Sequence, residues 1–324
     1  MKVIQYDQYG GPDVLQYRER KIPKPSSHEA LISVKCASVI PGDWKVRSGH
    51  LQEMFPIEFP NIPGRDGSGI IVSTGEKCNW AKKGDEVCFL TKHTEQGSYA
   101  EFLTRPEEMV IAKPSNVNFA EGAAMMHAGT CAWIALVETA QLKGGEKVLI
   151  HGGAGAIGGM ATQIAKYLNC EVTVTCSEQN IEYCKNLGAA YGIPYTKRAA
   201  IEKLPPQDIV LDLQGGEVHE TSCRVLRPGG TLVWLIANPF TDISKRYGVL
   251  CQQAVIHDRR EPLEQIAELV KKGNLRPQVS QRLSLRSAIA AHETMERGKN
   301  SRGRIILDIN KQDKKISQLL KKIT

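Results

Sequence analysis

The chain has 324 residues, enough for two domains at roughly 100–200 residues each. Its 41% hydrophobic and 24% charged content is that of an ordinary soluble globular protein, which argues against fibrous and disordered classes. The formal charge of +7 favours anions, phosphate-bearing cofactors among them, without naming a partner.

The first residues, MKVIQYDQYGG, have no apolar signal core. No uninterrupted apolar run approaches the roughly 18 residues of a membrane helix, so cytoplasmic residence is expected. Short β-type runs follow at 2–6, 29–37, 69–74, 86–90 and 98–104. Gly10-Gly-Pro12, Ile22-Pro-Lys-Pro25 and Asn61-Ile-Pro-Gly64 punctuate them, a texture that predicts a small irregular barrel.

From Phe119 the pattern turns helical, and then strands and helices alternate. An apolar strand at 148–150 runs into Gly153-x-Gly155-x-x-Gly158. Ile157, Met160, Ile164 and Leu168 then recur at helical spacing, and a second strand is read at 171–175. This is the order of a dinucleotide-binding βαβ unit. Gly153 is assigned the tight turn, Gly155 the approach of a pyrophosphate to the backbone, and Gly158 close packing of helix on strand. Ala154, Ala156 and Ile157 complete the expected cradle, where helix N–H groups meet phosphate.

Further strands are read at 209–213 and 231–236, the last after a stop at Leu226-Arg-Pro-Gly-Gly230. The alternation predicts an α/β architecture, a doubly wound parallel sheet covered by helices on both faces. Helices are expected at 261–272 and 285–296, joined by a short polar link, with a final strand at 303–309. That strand has no evident partner in the parallel sheet, so the chain is expected to return to the first domain.

Nine scattered cysteines form no C-x-x-C pair and read as reduced packing residues. In the last residues, Lys311, Lys314, Lys315, Lys321 and Lys322 surround Ile316, Leu319, Leu320 and Ile323. A C-terminal helix is the expected reading there, with membrane-surface or nucleic-acid docking as the alternative.

Taken together, the motifs resemble those of the medium-chain dehydrogenase/reductases, more narrowly the zinc-independent quinone oxidoreductase and enone reductase branch. The resemblance runs from Gly10-Gly-Pro-Asp-Val-Leu15 to Arg302-Gly-Arg-Ile-Ile-Leu307. It passes through Pro41-Gly-Asp-Trp-Lys-Val-Arg-Ser-Gly49, Ile62-Pro-Gly-Arg-Asp-Gly-Ser-Gly69, Lys83-Gly-Asp-Glu-Val87 and Gly97-Ser-Tyr-Ala-Glu-Phe102. It continues through the glycine turn, Leu187-Gly-Ala189 and Asp212-Leu-Gln-Gly-Gly216. It implies a GroES-like barrel over 1–122, completed by 260–324, and a Rossmann domain over 123–259. The nicotinamide and the substrate are then expected in the cleft between them.

By the same resemblance, zinc-dependent relatives carry Cys where Ile40 stands and His-Glu where Arg65-Asp66 stands. Neither Ile nor Arg ligates zinc, and the four-Cys structural lobe is missing. No metal is expected, and hydride addition to an activated C=C or a quinone is favoured over alcohol oxidation. The second strand ends Thr175-Cys176-Ser177 without the acid that grips the ribose in NAD-specific sites. NADPH is therefore expected, with Ser177, Tyr195 and Arg302 near the adenosine phosphate. Glu178 weakens that expectation, and Asn180 replaces a lysine found in relatives.

At the reacting end the resemblance implies Lys45 as a ribose-holding or proton-donating residue. Ile40, Trp44, His127 and Phe240 are expected to line the substrate site. Thr130 and Cys131 are both candidates to face the nicotinamide, and Leu235 and Ile236 border the cofactor at a strand end. Asp43 is read as a helix brace. The expected function is an NADPH-dependent, zinc-free reductase of enones, enals or quinones acting on a small molecule as a homodimer, pairing near 231–236. One alternative is a pathway ene reductase for a larger or acyl thioester substrate. Another is a non-catalytic NADPH-binding protein associating with nucleic acid. Elemental analysis of the purified protein is expected to find no tightly held zinc; one zinc per chain would overturn the metal-free reading.

Overall fold

The computed structural model describes residues 1–235 and 242–309. Two sheets organise them. One is a six-stranded, wholly parallel sheet in which Lys147–His151, Glu171–Cys176 and Tyr191–Pro194 run outward on one side. Gln207–Asp212, Leu226–Trp234 and Leu250–Gln253 run outward on the other. This is the Rossmann strand order 3-2-1-4-5-6, whose reversal opens a ligand crevice at the carboxyl ends of the strands. The central strands read Val148-Leu-Ile150 and Ile209-Val-Leu211, apolar on both faces because helices cover both.

The second sheet is the barrel. Glu29–Val39 is its hub, pairing antiparallel with Asp66–Thr74, Phe102–Pro106 and Arg304–Asp308. Arg304–Asp308 is thus inserted beside strands made nearly the whole chain earlier, and Val279–Ser284 pairs with it in parallel. Its Ile305, Ile306 and Leu307 are fully buried, which explains a strongly apolar strand with no partner in the parallel sheet.

The helix Phe119–Trp133 joins the two halves, continuing as a π-turn over Ile134–Thr139. Asn118 and Glu121 cap its start reciprocally. Small residues let it lie close to both sides. A methyl at Gly122 would meet Cys88 Sγ at 2.8 Å on the barrel, and one at Gly129 would meet Ile266 at 2.7 Å. Ala123 and Ala124 pack on Cys36 and Ile306, while Met125, Met126 and Ala132 join the core of Val148, Ile150 and Ile164.

Three features differ from the sequence expectations. The strand expected at 231–236 is Leu226–Trp234, because the Pro-Gly-Gly segment continues the strand instead of stopping before it. It is not the sheet edge expected to pair between copies: Leu250–Gln253 covers it, and that strand is the edge on this side of the sheet. The link before the last helix is strand Val279–Ser284, polar because it too is an edge strand. No helix among the described residues is long and apolar enough to cross a membrane. Phe240, Ile236 and the basic C-terminal segment lie outside the described residues.

Asp43 sits in the helix Pro41–Arg47, where its Oδ2 accepts from Ile40 N at 2.9 Å and from the Tyr99 hydroxyl at 3.2 Å. Burial lifts its carboxyl to about 7, against only partial relief from these hydrogen bonds. A carboxyl whose pKa is higher folded than unfolded makes the folded state bind the extra proton, so stability falls as pH rises from about 4 to about 7. Asp43→Asn is expected to flatten the decline of Tm across that window, measured by calorimetry. An unchanged slope would remove Asp43 from the account.

Candidate functional site

The glycine turn is built by packing. Gly152 and Gly153 both donate to Thr175 O at 3.0 Å, tying the turn to the neighbouring strand. The left-handed residue of the turn is Gly152, at φ +79°. Gly153 is needed for a different reason: a methyl there would lie 2.5 Å from Val174 Cβ. Gly158 allows close packing within the turn, since its Cβ would meet Gly152 O at 2.2 Å. At Gly155 a Cβ would meet only Gly152 O, at 3.4 Å, so space opens there. Gly155 caps the helix Ala156–Tyr167, whose first N–H groups have no acceptor within the helix.

A cavity of about 860 Å³ opens in front of this turn. Its walls include His151, Ala154, Gly155, Ser177 and Tyr195, with Asn300 and Ser301 arriving from the C-terminal segment. That segment is latched to the turn, because Gly303 N donates to Ala154 O at 3.2 Å. Ser177 Oγ and His151 Nε2 are buried without a hydrogen-bond partner among the described residues, and both residues belong to the wall of this groove of dinucleotide size. Burial holds His151 at about 4, so it is a neutral imidazole at physiological pH. An open Gly155, a helix N-terminus and unfilled polar atoms fit a pyridine dinucleotide.

Several predicted residues fall on this groove, and others do not. Ala154, Gly155, Ser177 and Tyr195 line it. Arg302 is otherwise engaged: its Nε donates to Asn180 Oδ1 at 2.7 Å, its Nη2 donates to Gln179 O, and its guanidinium lies over Tyr183. It borders a smaller cavity of about 470 Å³ behind the segment. The cations on the main groove are Arg198 and Lys299, which sequence reading missed because neither belongs to the glycine motif. Asn180 acts as a bracket, with its Nδ2 donating to Ser301 O at 3.2 Å.

The second cluster lies where helix Phe119–Trp133 crosses the barrel. Ile40 is fully buried beside Gly42 and His93, and the His93 ring stacks obliquely on Phe55 at 4.9 Å. His127 lies against Cys131 Sγ and against Arg304, whose Nη2 is 3.4 Å from His127 Nδ1. Since guanidinium only donates, that contact leaves the imidazole proton on Nε2. Burial, then the charges of Arg65 and Arg304, hold His127 far below the ordinary histidine range. Burial and Arg65 hold His93 at about 3, and burial pushes the Cys131 thiol up to about 12. The imidazoles and the thiol here are therefore neutral.

Thr130 and Cys131 are both buried, and Thr130 Oγ1 has no partner among the described residues. Lys45 is partly exposed, with Nζ 5.8 Å from the Trp44 ring, and Trp44 meets His50 edge-on. Leu235 packs partly buried against the parallel-sheet core. Among the described residues, no group of three or more His, Cys, Asp or Glu is placed to hold a metal ion.

A barrel latched to a dinucleotide-type sheet defines the class as a two-domain dehydrogenase or reductase. Residues 26–115 match the alcohol dehydrogenase GroES-like domain, and residues 187–307 match the zinc-binding dehydrogenase family. The chain is 32% identical to the chloroplast envelope quinone oxidoreductase homolog of Arabidopsis thaliana, over 89% of this chain and 92% of that one. It is 30% identical to the 2-methylene-furan-3-one reductase of Solanum lycopersicum, over 95% and 79%. The spinach chloroplastic quinone-oxidoreductase homolog is 38% identical over 60% of this chain, which spans about three fifths (61%) of that protein. The quinone oxidoreductase structure from Coxiella burnetii superposes with a TM-score of 0.86 at 30% identity, covering 96% of this chain and 99% of that one. The chain belongs to the quinone oxidoreductase branch of the medium-chain dehydrogenase/reductases, the pyridine-nucleotide oxidoreductases.

Two glycine substitutions separate folding from binding. Gly158→Ala is expected to lower Tm by several degrees, because backbone and not a flexible side chain opposes the new methyl. Gly155→Val is expected to lower Tm less than Gly158→Ala, by the cost of a poorer helix cap, while weakening dinucleotide binding at least tenfold, read by fluorescence titration. Equal loss of stability in both would refute the assignment.

Proposed function

We propose that the protein is an NADPH-dependent reductase of electron-poor alkenes or quinones. The observation that carries the cofactor choice is the adenosine end of the groove. Ser177, whose buried hydroxyl has no partner among the described residues, belongs to the wall there, no carboxylate ends the strand at Cys176, and Arg198 stands on the same wall. Arg198 is exposed and paired with Glu217 at 2.7 Å, so a phosphate would compete with a weak surface pair. Glu217 also lines the groove, but beyond the end of the second strand.

The nicotinamide, when bound, supplies hydride. This chain's residues hold the dinucleotide at the turn, keep the reacting end in a low-dielectric setting, and position the acceptor. Hydride addition at the β-carbon of an enone moves the C=C pair into the α-carbon–carbonyl bond and the carbonyl pair onto oxygen, and the C=O re-forms as the α-carbon takes a proton. His127 and His93 are neutral, so neither is an imidazolium acid, and we assign that proton to water. The expected roles of Lys45, Trp44 and Cys131 remain part of this proposal. Both the plant quinone oxidoreductase homologs and the furanone reductase among its relatives support an acceptor conjugated to oxygen. A homodimer pairing along the free edge Leu250–Gln253, where Leu250 is exposed, belongs to the same proposal.

Steady-state assays with enones, enals and quinones are expected to show kcat/KM higher with NADPH than NADH, with saturated ketones and not alcohols as the enone products. Arg198→Ala is expected to raise KM for NADPH about tenfold with little change for NADH. Preference for NADH, or no turnover with any acceptor, would overturn the reading.

A further inference from the structure

A second core lies on the face of the parallel sheet away from helix Phe119–Trp133. It is built from Leu149, Val210, Leu232 and Val249 under the helix Val218–Val225. Two reduced cysteines belong to it. Cys223 stands on that helix and is buried. Cys251 stands on the edge strand Leu250–Gln253, opposite Leu232 in register, packs against the same core and is partly exposed. The Cys223 thiol donates a hydrogen bond to Cys251 Sγ, so the two sulfurs meet across the helix–strand junction. Side chains alternate along a strand, so Leu250 and Gln252 stand on the opposite face. Copies pairing along this edge would use its backbone groups and leave Cys251 against the helix.

All nine cysteines lie among the described residues, and no other combines partial exposure with a second thiol in contact. Cys36, Cys88, Cys131 and Cys170 are buried, and burial pushes each thiol up. Cys176 and Cys184 also touch, but they are only 4% and 0% exposed. Cys78 is partly exposed, and its Sγ donates to a backbone carbonyl, Glu29 O, at 3.4 Å. At Cys251 the hydrogen bond from Cys223 holds the thiol below its ordinary range, against burial and the charge of Asp242. The same contact, and then burial, pushes the Cys223 thiol up. The pair thus has one accessible sulfur with thiolate character and one sheltered sulfur touching it.

We propose that Cys223 and Cys251 are an oxidisable dithiol, a modification site whose reagent is a hydroperoxide and whose product is a disulfide stapling helix Val218–Val225 to the edge strand. The proposal stands apart from the reductase reading. Cys251 Sγ, as thiolate, attacks one peroxide oxygen; the O–O bond breaks, and hydroxide leaves and takes up the thiol's proton as water. Cys223 Sγ then attacks the resulting sulfenic sulfur; the S–O bond breaks, and a second water leaves with the Cys223 proton. Two thiols and one hydrogen peroxide give one disulfide and two waters. The peroxide gains two electrons and each sulfur loses one. The helix carries Val218 and Thr221 on the groove wall, and the strand leads to Asp258, the partner of Arg65 on the barrel. The staple therefore ties a groove wall to the segment that meets the barrel, and closing that loop stabilises the fold.

The test uses the full-length reduced protein and a small molar excess of hydrogen peroxide. The wild type is expected to lose two of its nine thiols, titrated after denaturation, and the mass of two hydrogens. Tryptic digestion without reductant is expected to give peptides 204–224 and 247–259 as one joined species. Dithiothreitol should restore both thiols. The oxidised protein is expected to melt several degrees above the reduced one. In Cys223→Ala the first step survives without the second, so Cys251 is expected to accumulate as a sulfenic acid that dimedone labels. In Cys251→Ser, Cys223 is expected to remain a free thiol.

A wild type that keeps all nine thiols under peroxide overturns the proposal. So does a disulfide that maps to Cys176 and Cys184, or one that joins Cys251 to the Cys251 of a second copy. Dimedone labelling of Cys223 in Cys251→Ser overturns the order of attack. A joined pair with unchanged Tm keeps the modification site and overturns the stabilising staple. If either variant does not fold, the wild-type peptide map decides alone: peptides 204–224 and 247–259 joined support the pair, and any other linkage overturns it.

Discussion

Much of the architecture depends on the buried carboxylate of Asp66. It accepts from Ser38 Oγ on the hub strand and from the backbone N–H of His127 at 3.0 Å, and it faces the charge of Arg304 on the last barrel strand. Ser98 Oγ also donates to the Asp66 carbonyl at 2.9 Å. Burial alone would push the proton onto this carboxyl, and these partners oppose that tendency. Because one of them is a backbone N–H in the middle of helix Phe119–Trp133, the node fixes that helix in register on the barrel. The same helix carries Met125, Met126 and Ala132 into the other core, so the node also sets how the parallel sheet sits.

The two halves are joined in two different ways. Beside the glycine turn, backbone and amide groups make the junction, through Gly303 with Ala154 and Asn180 with Ser301 and Arg302. Where the barrel meets the segment after strand Leu250–Gln253 the junction is ionic, through Arg65 and Asp258, and the imidazoles of His127 and His93 in the field of Arg65 are neutral.

Much of this was legible in the chain. The glycine turn, the central parallel strands and the orphan apolar strand at 304–308 were readable because each is buried on both faces or constrained by backbone geometry. The strands Tyr191–Pro194, Leu250–Gln253 and Val279–Ser284 were not, and all three are edges. An edge strand is half-exposed, tolerates Pro, Gly, Gln and Arg, and loses the apolar run that marks a buried strand. Gly152 and Gly153 are adjacent, and only geometry separates the φ requirement of the first from the packing requirement of the second. Arg198 and Lys299 were not picked out, although Tyr195 and Arg302, three residues from each, were: neither cation belongs to a motif that the resemblance carries, and only the fold brings them to the groove.

The position of strand Arg304–Asp308 bears on how the chain reaches this structure. The parallel sheet is complete once Gln253 is available, and its strands lie near one another in sequence. The barrel sheet lacks its Arg304–Asp308 partner until more of the chain has followed, leaving residues 36–39 of the hub strand Glu29–Val39 without that partner meanwhile. Such an unpaired flank is the feature that invites pairing with other chains. Synthesis from the N-terminus therefore makes the half that begins first the half that closes last. The interval before closure is a period of exposure that the finished fold no longer shows.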